Sequence, residues 1–318
     1  MTEHPFRPRP PWWGGDLQTL RNSLAPAPPP LPGETLLLAM ADGSGDRLCA
    51  LHHPGRQPDG PLIVLIHGLS GSQDSTYMQL SARYFHHHGF PVLRLNTRGA
   101  GPSRPTCRLQ SHAGRSQDLA DALATLPAEL TAHGVVVVGF SLGGNLALKF
   151  AAEHGARPPL RAVVTVSAPL DLAATSRNML RPRNYLYNQK LLRDYKRESL
   201  GHGAEVNAEE RRAVLAARNF VDIDNDFVAP RNGFRDAHDY WLQCQAKGFL
   251  AEIAVPALLV QARDDPMVPI APYLSYPWAD NPLLRPVLPE RGGHVGFHGR
   301  EGRPWYLDLT RRFLGALA

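Results

Sequence analysis

The chain has 318 residues, enough for one large domain or two small ones. Hydrophobic residues make up 43% and charged residues 20%, which excludes wholesale disorder. The net charge is +5, carried almost wholly by arginine, with lysine only at Lys149, Lys190, Lys196 and Lys247. The arginines are scattered and not interleaved with aromatics, so they read as solvated surface and no nucleic-acid partner is expected. They leave room for peripheral contact with a lipid surface. Cys49, Cys107 and Cys244 form neither a disulfide framework nor a CxxC pair, which fits a reducing, cytoplasmic setting. The first residues lack a secretory leader's apolar core, and no run approaches the about 18 apolar residues of a membrane span.

Residues 1–33 are proline-rich, and the expectation is an extended N-terminal arm on the surface. Residues 34–318 then form the main domain. Residues 35–40 and 47–52 read as a hairpin around Asp42-Gly43. Buried strands are expected at 61–67, 91–96, 135–140 and 161–168, and later at 256–262 and 283–288. Helices are expected at 75–88, 117–130 and 144–154, with a closing helix at 304–317. This alternation predicts an α/β domain, with a mostly parallel twisted sheet and helices on both faces. It fails only at about 170–250, a charged, helix-patterned stretch rich in aromatics. Such an insert after a strand end is where a cap would sit.

The chemistry centres on Gly139-Phe140-Ser141-Leu142-Gly143-Gly144. The G-x-S-x-G pattern alone is weak. Here it lies between a valine strand and an apolar helix, the setting of a nucleophile elbow. Small residues are needed at 139 and 143 because the turn is sharp, and the helix N-terminus behind Ser141 favours developing negative charge. A serine nucleophile needs a base. His294, in Gly292-Gly293-His294, follows the last expected strand and suits the role, with His298 as the fallback. The acid belongs after the preceding strand, in Arg263-Asp264-Asp265-Pro266. Asp265 is favoured because it leads into Met267-Val268-Pro269, and Asp264 competes as a turn residue. Two oxyanion amides are expected, one from Leu142 and one from Leu69 in His67-Gly68-Leu69. His86-His87-His88 points three ways from a helix end and does not suit a metal. Residues 96–101 lack the lysine step of a phosphate loop and read as a turn near the site's rim.

The chain resembles the YheT-like α/β-hydrolases, the group related to the α/β-hydrolase-domain lipases of animals. The likeness runs through Phe6-Arg7-Pro8, Asp16-Leu17-Gln18-Thr19-Leu20, His67-Gly68-Leu69, the elbow with Asn145, Gly233-Phe234 with Asp239-Tyr240, and the acid and base loops. The segment 42–46 departs from the family's longer acidic stretch. The resemblance implies the α/β-hydrolase fold with a helical cap insertion. It also implies carboxylic ester hydrolysis by Ser141, His294 and Asp265 on a small-molecule or lipid ester, without metal or organic cofactor. A thioesterase, lipase or amidase on the same residues, or a binding protein on a hydrolase scaffold, are the rivals. Oligomeric state is not legible.

Overall fold

The computed structural model describes residues 5–26, 28–56, 59–155 and 159–317. Among the described residues, eight strands form one sheet in the order β1-β2-β4-β3-β5-β6-β7-β8. The hairpin strands β1 (Glu34–Ala39) and β2 (Arg47–His53) are antiparallel to each other, and β2 is antiparallel to β4 (Val92–Leu95). From β4 onward the pairing is parallel, through β3 (Leu62–Ile66), β5 (Val135–Phe140), β6 (Leu160–Val166), β7 (Ala257–Val260) and β8 (Leu284–Val287). The central strands β3 and β5 are buried along their whole length. Strands covered on both faces read as continuous apolar runs, which is why four consecutive valines suit β5.

Side chains alternate between two cores. Leu62, Val64, Val135 and Val137 face helices α3 (Ser116–Thr125) and α5 (Leu142–His154). Ile63, Leu65, Val136 and Val138 face α2 (Thr76–His87) and the closing α13 (Trp305–Gly315). Each fully buried Val, Leu or Ile contributes about 1.5–3 kcal/mol, so this double layer is the main anchor of the sheet. Gly89, at φ +92°, ends α2 as a left-handed residue.

Two expectations change. The helix read at 117–130 is broken. Proline at 127 forces Leu126 into extended backbone (φ −64°, ψ 145°), and only a short α4 (Ala128–Thr131) resumes. The arm at 1–33 is not extended throughout, because α1 (Gly15–Leu24) is helical. Its ten residues hold no proline. Of the arm, residues 1–4 and 27 lie outside the described residues.

Between β6 and β7 the chain forms no strand among the described residues. It builds α6 (Leu172–Met179), α7 (Tyr185–Ser199), α8 (Ala208–Ala216), α9 (Phe220–Ile223), α10 (Ala229–Arg231) and α11 (Ala237–Cys244). A wide π-helical turn over Asp224–Val228 joins α9 to α10. These elements have their own apolar cluster, including Leu192, Tyr195, Phe227 and Trp241. The one-turn α12 (Ala271–Ser275) precedes β8. No helix among the described residues is long and apolar enough to cross a membrane.

The segment at 96–101 does turn near the rim, and it has a second use. Arg98 is fully buried and paired with Asp42 at 3.0 Å, Asp46 at 3.0 Å and Asp118 at 2.8 Å. A buried guanidinium is tolerable only when paired this way. The acids of the hairpin turn and α3 therefore fasten the edge of the sheet to this loop.

Candidate active site

The tight turn after β5 holds Ser141 at φ +50°, a left-handed conformation that costs a side-chain-bearing residue energy. Its neighbours explain why the turn needs glycine. A Cβ at Gly139 would stand 2.4 Å from the Gly143 carbonyl oxygen, and one at Gly143 would stand 2.3 Å from that of His67. The Ser141 amide donates to the Val166 carbonyl at 2.9 Å, which fixes the turn against β6. Asn145, one turn into α5, donates to the carbonyls of Ala113 and Cys244 and accepts from the Ala246 amide. It ties α5 to the end of the insert.

Above the turn, His294 Nε2 lies 2.9 Å from Ser141 Oγ, and His294 Nδ1 lies 2.9 Å from Asp265 Oδ2. A carboxylate only accepts, so Nδ1 carries the proton and Nε2 is free to accept from the serine hydroxyl. The Asp265 carboxylate has no exposed surface. Its Oδ1 accepts from the Met267 and Val268 amides at 2.8 and 2.9 Å, and Gln261 Nε2 donates to Oδ2 at 3.2 Å. The turn therefore places Asp265 rather than Asp264 against the imidazole. Asp264 accepts from the Gly293 amide at 2.9 Å instead and braces the base loop. Burial pushes its pKa up.

His298 is also accounted for. Its Nδ1 accepts from Arg21 at 3.1 Å, so its Nε2 donates to Asn22 Oδ1 at 3.0 Å. Burial, then the Arg21 charge, pushes its pKa down to about 3. His298 anchors α1 and does not meet Ser141.

Helix α1 was not expected near the site, yet it backs the base loop. Gly15, Gln18 and Thr19 are its buried residues. Thr19 Oγ1 accepts from the His294 amide at 2.8 Å, and Gln18 Oε1 accepts from the His298 amide at 2.6 Å. The fit is close, since a Cβ at Gly293 would stand 2.3 Å from the Gly15 carbonyl. No hydrophobic periodicity signals a helix whose inward face is polar. Only the resemblance through Asp16-Leu17-Gln18-Thr19-Leu20 marked the segment.

The loop after β3 carries the other candidates. His67 Nε2 accepts from the Thr97 amide at 3.1 Å, so Nδ1–H donates to the Gly68 carbonyl at 2.8 Å. Burial pushes the His67 pKa down to about 4, which keeps the ring neutral in this role. The Gly68 amide donates to Tyr77 Oη at 3.0 Å, a partner no local pattern announced. With Gly68 occupied, the amides of Leu69 and, at the first turn of α5, Leu142 have no acceptor among the described residues.

Ser141 and His294 open onto a cavity of about 290 Å³ between the sheet edge, α1 and the insert. Its walls include Leu69, Leu142, Met179, Tyr195, Trp241 and Met267 and are mainly apolar. Among its polar lining residues are Asp224 and His112. Asp224 accepts from Trp241 Nε1 at 2.7 Å, and burial pushes its pKa up to about 7. His112 Nδ1 accepts from the Gly114 amide at 3.1 Å, so its proton sits on Nε2, and burial pushes its pKa down to about 3.

A doubly wound sheet with a strained serine turn, an imidazole and a buried carboxylate is the arrangement of the serine hydrolases on α/β folds. The α/β-hydrolase fold family model matches residues 61–300. The chain is 31% identical to YheT of Escherichia coli (strain K12) over 268 residues, covering 82% of this chain and 78% of that one. The chain belongs to the α/β-hydrolase family, in the group of YheT-like members. It is 26% identical to the phospholipase ABHD3 of Mus musculus, over 90% of this chain and 71% of the mouse protein. It is also 26% identical to a monoacylglycerol lipase of Saccharomyces cerevisiae (strain ATCC 204508 / S288c), over 80% and 59%. The chain thus spans under two thirds of the yeast protein's length. An esterase of Pyrococcus furiosus, Pf2001, shares the fold, with a TM-score of 0.61 at 15% identity over 99% of both chains.

Proposed function

We propose that this protein hydrolyses carboxylic esters through an acyl-enzyme on Ser141. His294 takes the hydroxyl proton as Ser141 attacks the ester carbonyl. The imidazolium that forms is stabilised by ionised Asp265. The Leu69 and Leu142 amides receive the oxyanion, at about 3 kcal/mol per donor in comparable sites. His294 then protonates the leaving alcohol, and a water activated by the same imidazole releases the acid. The insert acts as a cap over the pocket.

The observation that carries this reading is the pair of 2.9 Å contacts in line, Asp265 to His294 to Ser141, at the floor of an apolar cavity. An apolar wall favours an acyl chain over a peptide. The relatives described as a monoacylglycerol lipase and a phospholipase support an ester of a fatty acid. A thioesterase or amidase would use the same groups, and the acyl carrier decides among them.

The test is hydrolysis of p-nitrophenyl esters from acetate to palmitate, with Ser141→Ala alongside. The expected result is turnover that falls by several decades in the variant, with the longest acyl chain accepted sizing the cavity. Retention of most activity in Ser141→Ala would reject the assignment.

A further inference from the structure

Helix α1 is inverted in polarity. Its buried residues are Gly15, Gln18 and Thr19, whereas Leu17, Leu20 and Leu24 are exposed, Leu24 by 67%. A solvent-facing helix normally turns leucines inward. Leucines turned outward on a helix whose polar face is fully used need a partner that is not water.

The exposure is concentrated. Among the described residues, eleven large apolar side chains are exposed. Seven of them lie on just two stretches: Trp13, Leu17, Leu20 and Leu24 around α1, and Leu180, Tyr185 and Leu186 from the end of α6 to the start of α7. The stretches are joined directly. Asp16 in α1 binds Arg183 Nη2 at 3.1 Å and Tyr187 Oη at 3.0 Å. They also meet at the cavity mouth, where Leu20, Ser23 and Lys190 both line the cavity and stand in solvent. A contiguous apolar patch rimmed by charge marks an interaction surface.

The rim is basic. Arg177, Arg181, Arg183, Lys190, Arg193 and Arg197 are exposed on α6, α7 and their link. The carboxylates among them are Asp16, Asp194 and half-buried Glu198, whose pKa burial pushes up to about 7. The positive excess is therefore retained near neutrality. Apolar side chains within a ring of cations fit a bilayer surface bearing anionic headgroups, with leucines in the acyl boundary and arginines at the phosphates.

We propose that the face formed by α1 and the start of α7 docks on an anionic phospholipid bilayer, with the cavity mouth turned toward the lipid. Docking there would let an acyl chain pass into the cavity without crossing water. The proposal concerns binding and does not depend on hydrolysis.

The experiment is co-sedimentation of the full chain, as Ser141→Ala to leave lipid intact, with vesicles of phosphatidylcholine alone and of phosphatidylcholine with 30% phosphatidylglycerol. The expected result is binding to the anionic vesicles, weakened at least tenfold by 0.5 M salt or by Arg181→Glu with Arg183→Glu. Leu24→Asp with Leu186→Asp should weaken it as much, and neither residue lines the cavity. In the Ser141 background, the leucine pair should leave turnover of soluble p-nitrophenyl butyrate unchanged, which reports an intact fold. Absence of binding to anionic vesicles would overturn the proposal. So would binding indifferent to both pairs of substitutions, or a concentration-dependent dimer abolished by the leucine pair. Loss of all ester turnover in the wild-type chain would count against the proposed function and leave the vesicle result to stand or fall alone.

Discussion

Thr19→Val tests whether α1 belongs to the catalytic apparatus or merely covers it. Thr19 is 8% exposed, and its Oγ1 accepts from the base loop, 2.8 Å from the His294 amide. Valine keeps the volume and removes the acceptor. A buried amide left without a partner costs about 1–3 kcal/mol. If that cost appears as displacement of the His294 loop, it corresponds to a fall in kcat of about 5- to 150-fold. Thr19→Ser restores the hydroxyl and should recover most of the rate. The assay is kcat and KM on a soluble p-nitrophenyl ester, run beside thermal unfolding. The expected pattern is a lower kcat with KM little changed and Tm lower by a few degrees. A lower Tm with unaltered kcat would refute the argument, because α1 would then be structural cover and not a positioning element.

Three further predictions concern the site and its frame. Asp265→Asn should lower kcat by about 10⁴-fold, as in other triads. The amide oxygen will keep the Met267 and Val268 donors and turn its NH₂ to the imidazole, forcing the wrong tautomer. Asp264→Asn preserves an acceptor for the Gly293 amide and should cost only a few-fold, so comparable losses in the two variants would undo the distinction. Gly143→Ala should lower stability by at least about 1–3 kcal/mol, since its Cβ meets backbone at 2.3 Å. Gly248→Ala, with nothing within 4 Å, should be near neutral in the same urea titration. Last, burial holds His53 and His67 near pKa 4 and His112 and His298 near 3, all below the ordinary 6.5. The unfolded chain protonates these rings first, so their stabilisation is present above pH 6.5 and is lost as pH falls toward 4. Asp224 and Glu198, raised to about 7, act oppositely, holding protons the unfolded chain releases. Over these six groups the net is about two protons taken up on unfolding near pH 5. Urea midpoints should therefore drop between pH 6 and pH 5, and a flat or rising profile would contradict the buried-histidine account.

The parts of this structure that were legible in the sequence are those written within one short window. The valine run of β5, the glycines around Ser141 and the glycines before His294 each state their own geometry, and the strand–helix alternation supplies the sheet that aligns them. Asp264 and Asp265 show the limit of such windows. Adjacent carboxylates have the same local pattern, and what separates them is which amides the following turn offers. Arg98 shows another limit, because its acids at 42, 46 and 118 converge only once the hairpin and α3 are docked. The break at Pro127 was legible in principle, since a proline disfavours helix at the residue before it, and the apolar periodicity of 117–130 obscured it.

Helix α1 was hidden for a different physical reason. Sequence reading finds helices by the apolar stripe they bury, and α1 buries glycine, glutamine and threonine against backbone donors and carbonyls of a loop about 275 residues away. Its leucines, the residues a pattern search weighs most, face outward, with Leu20 at the mouth of the cavity. The two faces therefore have separable tests. Removing the inward hydroxyl of Thr19 should change turnover and leave vesicle binding alone, whereas charging the outward Leu24 should change vesicle binding and leave turnover of a soluble ester alone. If both substitutions moved both readouts together, α1 would be acting as a single structural prop, and neither face would have the role assigned to it.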